Sequence, residues 1–528
     1  ANRVAVAIAE LVDQLRLDHP SIESVVIVGG DDQIPFFRVD DEGIVANERD
    51  YLPTFSGNNP LVASLREGQV LTDAPYTDAN PLYVPQGDRE VFVSQLPTGR
   101  LVEEPAEIVA SLNQFVASGG LLDVATANNP DAEVLGYDFL SDSSEDITDS
   151  LIAQGFDVTS IINETWTKAQ IEAAYDAASS IVNGNAHFDH TAALPAAGNL
   201  TSDFTDLYTV DDLDPLGSST YAGTIIYTMG CHGGLNAPAS YLNAGDPLYD
   251  WAQALLAREA VYLANTGFGY GDSEFKAYSE ELMFLLTEQF AQSTTIGEAF
   301  RNAQQIFASQ TPKWSPYHDK SLMEATLYGL PFYRLSELDV PPPSIPTVPT
   351  TPVAGTNLES ASTSVSATIT EAGGPTVDRY LVADDVLAVP FRPVQPLEYI
   401  DATPVDPGLR ATGAVIESAV TSDLESFDVL YARPIVYTEA ANPEVETAGP
   451  FPNALPAITS YETASGRVDQ LLVARGRYFP DLRLQQRALV VLGSCQGDIA
   501  AAVKAVSAGG VAGGQTQYLA VVTVLSQH

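Results

Sequence analysis

Two strand-like runs end on side chains suited to nucleophilic chemistry. Residues 180–187 read Ser-Ile-Val-Asn-Gly-Asn-Ala-His, and residues 224–234 read Thr-Ile-Ile-Tyr-Thr-Met-Gly-Cys-His-Gly-Gly. His187 closes the first run and Cys231 lies at the exit of the second, 44 positions later. A thiol beside an imidazole forms a nucleophile and acid/base pair: the ring takes the thiol proton and returns it to the leaving group. Gly230, Gly233 and Gly234 flank the cysteine. They permit close backbone approach to a substrate and an N–H-lined site for a developing oxyanion. His190 is the competing base, with Asp189 beside it to orient the ring. His232 adjoins Cys231 in sequence and should point away from it. The segment Ala186-His-Phe-Asp-His190 superficially suggests a metal-ligand pair, but the sequence identifies no further converging ligands, and no metal site is assigned.

The elements that must position this pair alternate between helix and strand. Apolar, β-branched runs bounded by polar and glycine residues read as buried strands of a parallel sheet, whose carboxyl ends share one crevice. In a first block, residues 1–125, helical spacing covers 4–17 and a strand covers 24–30. A polar, proline-bearing loop region follows over 40–88, then a strand at 90–96, a turn at 97–99 and a helix over 105–118. A second block, 126–338, reads as strand 134–137, helix 147–154, strand 158–162, helix 168–178 and the two chemistry-bearing strands. It continues with helix 248–257, strand 260–265, the turn Gly267-Phe-Gly-Tyr-Gly271, helices over 273–292 and 296–309, and a closing segment 325–335. A proline-rich linker spans 339–357. Residues 358–528 alternate in polarity and are rich in Val, Thr, Ser and Tyr, the pattern of an all-β sandwich with one helix near 499–505.

Composition narrows the partners. The chain has 528 residues, with 24 basic against 69 acidic side chains and a formal charge of −45. That balance argues against nucleic acid or anionic membrane as partner. No apolar stretch approaches the roughly 18–20 residues needed to span a bilayer. The low charged fraction, with abundant Ser, Thr, Pro and Gly, suits an extracellular protein. The opening in mid-helical pattern suggests a trimmed or mature fragment. The two cysteines, Cys231 and Cys495, are expected as free thiols, because a disulfide would consume the nucleophile. Cys495 lies in Val-Leu-Gly-Ser-Cys-Gln-Gly, which imitates a caspase cysteine motif, but no histidine-bearing strand accompanies it.

With these segments laid out, residues 20–335 resemble the gingipain-type family of secreted cysteine peptidases with a caspase-like fold. The resemblance is carried by Val25-Val-Ile-Val-Gly-Gly-Asp-Asp-Gln-Ile-Pro35, by Leu96-Pro-Thr-Gly-Arg-Leu101, by the His187 and Cys231 strands in their order, and by Leu327-Tyr-Gly-Leu-Pro-Phe-Tyr-Arg-Leu335. It implies an α/β, caspase-like unit of two subdomains with mainly parallel sheets, followed by an immunoglobulin-like sandwich. It further implies a secreted cysteine endopeptidase acting on protein or peptide, with Cys231 and His187 catalytic and no cofactor needed for chemistry. The oxyanion would be held by the backbone N–H groups of Cys231 and Phe188. The family usually has glycine after the histidine, so the Phe188 side chain could obstruct the cleft. In the caspase-like fold the loop after the first catalytic-block strand helps build the specificity pocket. That places Asp138 and Asp142, with Asp272 after the glycine turn, as receivers of Arg or Lys. Structural calcium is a property of related peptidases, and Asp73 and Asp78 are acidic-loop residues of the kind that bind it. Two other readings stay open: a non-enzymatic scaffold or adhesion protein of the same fold, and peptide ligation on the same pair.

Overall fold

The computed structural model describes residues 1–335 except 52–54, 56–58, 79–80, 85–88, 128–129, 202–203, 214, 243–248, 273–274 and 312–313. Beyond 335 it describes 351–352, 359–360, 362–366, 370–372, 380–382, 386–402, 409–411, 415–424, 431–435, 451–452, 457–463, 466–474, 476–479, 484–496 and 522–526. The chain divides into two compact units. The first comprises Ala1–Ala308, Ser315–Pro341 and Pro434–Ala441; the second comprises Ser309–Trp314, Pro342–Arg433 and Asn442–His528.

The first unit is built on one eight-stranded sheet. Its strands are β1 (Val25–Val28), β2 (Thr98–Leu101), β3 (Asp131–Gly136), β4 (Asp157–Ile162), β5 (Ile181–Asn185), β6 (Ile225–Tyr227), β7 (Val261–Asn265) and β8 (Ala325–Tyr328), in the order β1-β2-β8-β7-β6-β5-β3-β4. Every neighbouring pair is parallel except β7 with β8. Central strands β5, β6 and β7 are buried at every residue, whereas β4 at the edge is largely exposed. This fits the apolar starts of these strands, Ile-Val in β5, Ile-Ile in β6 and Val-Tyr-Leu-Ala in β7. The fold is therefore mixed α/β with a large, mainly parallel sheet. β8, from the end of the second block, lies between β2 of the first block and β7 of the second, so the sheet runs through both blocks without a break.

Helices begin where the sequence supplies caps. Pro105–Ala117 starts with proline and a capping box between Glu104 and Glu107, and Lys168–Asp176 has the same device from Thr167 and Gln170. Trp251–Leu256 is capped by Asp250, which accepts from Gln253 N–H. The helices expected over 4–17, 147–154, 273–292 and 296–309 form as Asn2–Asp18, Ser141–Ala153, Ser279–Gln289 and Ile296–Gln310.

Three local expectations are corrected. Of the stretch 97–99, expected as a turn after a strand at 90–96, residues 98 and 99 belong to β2, while Arg89–Val91 pairs with Leu82–Val84 in a separate antiparallel pair. A proline and a glycine two residues apart make this segment read as a turn. Gly99 is needed because a Cβ there would stand 2.3 Å from the Gly329 carbonyl oxygen. Arg100 is fully buried on Asp73, with Nη2 and Nε at 2.5 and 2.9 Å from its two oxygens. The loop expected over 40–88 contains the helix Pro60–Arg66 and the strand Gln69–Thr72, paired with Phe37–Asp40. Finally, the helix Pro316–Glu324 was not anticipated, because its polar sequence shows no apolar face. It is capped by Ser315, and its residues from Tyr317 onward are buried, including Asp319, Lys320 and Glu324.

In the second unit every helix or strand described beyond residue 351 is a strand. Leu484–Gln496, which contains Cys495, pairs with four other strands in a six-stranded sheet, and Gln395–Asp401, Gly466–Ala474 and Ala457–Thr463 belong to a four-stranded one. The helix expected near 499–505 and most of the 339–357 linker lie outside the described residues.

Candidate active site

The carboxyl ends of β3, β5, β6 and β7 point the same way and frame the candidate site. β5 and β6 are adjacent, with Ile225 opposite Ile181 and Tyr227 opposite Asn183, an offset of 44 residues. His187 and Cys231 are also 44 residues apart, each four positions past the last paired residue of its strand. The two residues therefore leave neighbouring strands at the same level. Thr228 ties the exits together: its hydroxyl donates to Gly184 O at 2.5 Å and accepts from Gly230 N–H at 2.8 Å.

The thiol is 91% buried with its residue and directed at the Gly269 carbonyl oxygen, 3.7 Å away. Burial pushes the Cys231 thiol up to about 12; Glu324 and Glu48 add to this, and the Gly269 contact and Lys320 oppose it. His187 is half-buried, its ring edge-on to Tyr137 with centroids 5.1 Å apart, and tilted against Phe139. Burial pushes its imidazole down to about 4. Tyr137, just past β3, accepts from His187 N–H at 3.2 Å and donates to Leu194 O. At rest both partners are thus neutral near pH 7.

The amides around the nucleophile are sorted by partner. Gly230 N–H goes to Thr228, His232 N–H to Gly267 O at 2.7 Å, and Gly234 N–H to Asn265 O at 2.7 Å. Among the described residues, the Cys231 and Phe188 N–H groups donate to no protein acceptor. The Phe188 ring, expected as a candidate obstruction, is 93% buried against Gly230 and Trp251, with ring centroids 5.7 Å apart to the latter.

The other histidines take different positions. His190 Nδ1 lies 2.6 Å from the Tyr51 hydroxyl, and its ring also packs on Phe55. Asp189, expected to orient that ring, instead turns its Oδ1 to Thr191 N–H, the Thr191 hydroxyl and Ala192 N–H, because a short carboxylate caps its own turn more readily. His232 is buried, has φ +55°, and sits 2.9 Å from Glu48 Oε2. Its ring is stacked on Tyr51 at 3.5 Å and edge-on to Phe268 at 4.6 Å.

Glu48, Tyr51, Tyr137, Lys320 and Glu324 are the site residues that sequence reading missed. Glu48 accepts from Phe268 N–H at 2.8 Å and from Lys320 Nζ at 2.6 Å through Oε1. Burial alone would raise its carboxyl, but Lys320 and His232 outweigh it and hold Glu48 at about 2. Lys320 also reaches Asp41 Oδ2 at 2.8 Å, and burial is overcome by these carboxylates, which keep its ammonium charged. Glu324, with no cation in contact among the described residues, is pushed well up by burial despite nearby Lys320. A buried lysine and glutamates within a polar segment are the signal that the sequence offered, but only the fold joins residues 48, 232 and 320.

Of the expected pocket residues, Asp138 is exposed in the turn after β3. Asp142 lies in the first turn of the following helix, half-buried; burial pushes its carboxyl up to about 6, against Ser143 N–H and Lys276. Asp272 is buried, and its N–H donates to Glu280 Oε2 at 2.9 Å. Burial, then repulsion from Asp142, raises the fully buried Glu280 well above the usual range. Asp142, Asp272 and Glu280 thus gather at the end of the Gly267–Gly271 loop, and Asp138 stands apart. Among the described residues no group of three His, Cys, Asp or Glu side chains could hold a metal ion. Asp73 is engaged by Arg100, and Asp78 accepts from Val93 N–H and Gln95. No described helix is long and apolar enough to cross a membrane. Cys231 is a free, buried thiol. Cys495 sits in a strand of the second unit.

No protein-family model matches the sequence, and no curated protein matches it. Among solved structures, the Arg-specific cysteine proteinase gingipain R aligns over 92% of this chain and 87% of its own, with 12% identity and a TM-score of 0.42. A complex of the Porphyromonas gingivalis RgpB pro- and mature domains covers 92% and 89%, with 11% identity and a TM-score of 0.41. A structure concerned with zymogenic latency of Porphyromonas gingivalis gingipain K aligns over 28% of this chain and 93% of that one, with 14% identity and a TM-score of 0.16. Likenesses this distant do not bear on chemistry.

Proposed function

We propose that this protein is a cysteine endopeptidase with Cys231 as nucleophile and His187 as acid/base. The observation that supports the reading is the shared register of β5 and β6, past whose last paired positions His187 and Cys231 each stand by four residues. As Sγ attacks a peptide carbonyl carbon, the imidazole takes the thiol proton and passes it to the departing amine. The thioester is then hydrolysed by a water that the same imidazole deprotonates. The free N–H groups of Cys231 and Phe188 are suited to hold the tetrahedral oxyanion. With a thiol raised to about 12 and an imidazole lowered to about 4, no thiolate–imidazolium pair is preformed. Proton transfer then accompanies attack, after the thiol leaves the Gly269 carbonyl.

The same proposal takes a secreted protein, with a preference for Arg or Lys before the scissile bond, read by Asp142 and Asp272 or by the exposed Asp138. Structural calcium belongs to it only as a stabiliser. One observation favours a second reading, a non-enzymatic scaffold of this fold: the thiol is buried and hydrogen-bonded to a backbone carbonyl. A thiol-directed peptide electrophile separates the two. Under reducing conditions the peptidase is labelled stoichiometrically and cleaves a peptide library, and both properties vanish in Cys231→Ala. Absence of labelling and cleavage in the wild type, with and without calcium, would refute the peptidase reading.

A further inference from the structure

Both sides of the thiol contact depend on one distant carboxylate. Glu48 lies in a short turn of the first block, with its N–H bonded to Asp41 Oδ2 at 2.9 Å. Its Oε2 meets the ring of His232, the residue after the nucleophile, at 2.9 Å. Its Oε1 receives the N–H of Phe268, the residue before the carbonyl that faces the thiol, at 2.8 Å. Gly267 makes this approach feasible, since a Cβ there would lie 2.4 Å from Glu48 Oε1 and 2.8 Å from Glu324 Oε2. His232 Nδ1 is buried without a hydrogen-bond partner, which assigns the ring proton to Nε2, facing the carboxylate. The stacked Tyr51 and edge-on Phe268 fix the ring plane.

We propose that Glu48 is a positioning residue for the Cys231 nucleophile, acting through the His232 ring and the Phe268 amide at once. The inference rests on the reading of Cys231 as nucleophile and goes beyond it, because it makes the geometry of the second block depend on the first. Two acceptor oxygens are required: one carboxylate serves the imidazole N–H, the amide and the Lys320 ammonium together. Glutamine has the same shape but turns an NH2 on the imidazole when its one oxygen accepts from the amide, so it serves both only by moving the ring proton to Nδ1, which is buried without a partner. A purely structural role would instead reside in the buried Glu48–Lys320 ion pair, whose replacement by neutral groups is well tolerated.

The test compares wild type, Glu48→Gln and Glu48→Gln/Lys320→Met, with Leu151→Ala as a remote destabilised control. Positioning predicts that Glu48→Gln lowers kcat by about tenfold or more with KM within about twofold. The double variant keeps the low kcat whatever its thermal stability, which is lowered because Lys320→Met also leaves the buried Asp41 carboxylate without its cation. Recovery of kcat in the double variant would overturn the proposal. A second readout needs no peptidase activity. The chain has two cysteines, so a cysteine-selective 13Cβ spectrum holds two signals, assigned with Cys495→Ser. The Cys231 signal is expected to shift in both Glu48 variants and to stay in place in Leu151→Ala. An unmoved Cys231 signal refutes the positioning role. A wild type that cleaves nothing, with the shift still present in the Glu48 variants, removes the peptidase reading alone.

Discussion

Replacing Gly230 by alanine puts one methyl group against the ring of Phe188, the residue after the candidate base. The added Cβ would meet Phe188 Cδ2 at 2.3 Å, Cγ at 2.7 Å and Cβ at 2.8 Å. Carbon atoms rest about 3.5–4.0 Å apart, so the ring must move by about 1.2 Å or more. It cannot retreat freely, because it is 93% buried and packed on Trp251. Gly230 has no positive φ, so the effect is steric and not conformational. Overpacking of this kind costs about 1–3 kcal/mol. Phe188 follows His187 and Gly230 precedes Cys231, so the strain falls on the relative placement of ring and sulfur. A misplacement near 1 Å lowers turnover by about 100-fold. The assay is chemical denaturation with kcat/KM on a cleaved peptide, for Gly230→Ala, Phe188→Ala and the double variant. The double variant should be less destabilised than the sum of the singles by about 1 kcal/mol, since the methyl enters space vacated by the ring. Additivity within about 0.3 kcal/mol, with unchanged turnover in Gly230→Ala, would refute the reasoning.

Two further outcomes follow from buried charges. His187 is held at about 4 in the folded protein, against 6.5 unexposed to such burial. Its contribution is therefore present above pH 6.5 and is lost as pH falls toward 4, by about 3 kcal/mol in all. Because raised carboxyls such as Asp142 and Asp250 gain stability in an overlapping window, the quantity to measure is the pH dependence of wild type minus His187→Gln; a flat difference from pH 7 to 4 removes the effect. Asp73→Asn leaves the Arg100 guanidinium buried without its countercharge and should cost about 3–5 kcal/mol in urea unfolding. Calcium should not restore that stability, and much of it should return in Asp73→Asn/Arg100→Met; a loss below about 1 kcal/mol in the single variant refutes the pairing argument.

The legible parts of this chain were those whose physics is local. Parallel strands buried on both faces appear as short apolar runs, which is why β5, β6 and β7 could be placed, and a proline or capping box marked the helices after Glu104 and Thr167. Cys231 and His187 stood out because strand ends in such sheets carry chemistry. What stayed hidden depends on contacts far apart in sequence. β2 reads as a turn until Asp73 supplies the charge for Arg100 and Gly329 supplies the backbone that requires Gly99. Helix Pro316–Glu324 reads as polar surface until Asp41 and Glu48 neutralise Lys320 inside the protein. Tyr51 and Glu48 lay in a stretch taken for loop, and no periodicity links them to His232.

The glycines around the nucleophile show how this hidden layer changes the reading of the site. As sequence, Gly267-Phe-Gly-Tyr-Gly271 reads as a turn and Gly230 as room for the close approach of a substrate. In the structure each position is occupied by an approaching group: Phe188 at Gly230, the Glu48 and Glu324 carboxyls at Gly267, the Met229 carbonyl at 1.9 Å from a Cβ on Gly269, and Glu280 at Gly271. Absent side chains here make room for buried acids and backbone, so the glycines are clearance for a packed junction. A packed junction changes shape in steps and not continuously. If Cys231 is to attack a peptide, its side chain must turn from the Gly269 carbonyl while His232, Phe268 and Glu48 stay where they are. Rotation about the Cys231 side-chain bond does this without moving the loop, whereas any route that lifts the loop breaks the Glu48 contacts. The cheaper motion is therefore the side-chain one, and the buried acids serve to keep it so.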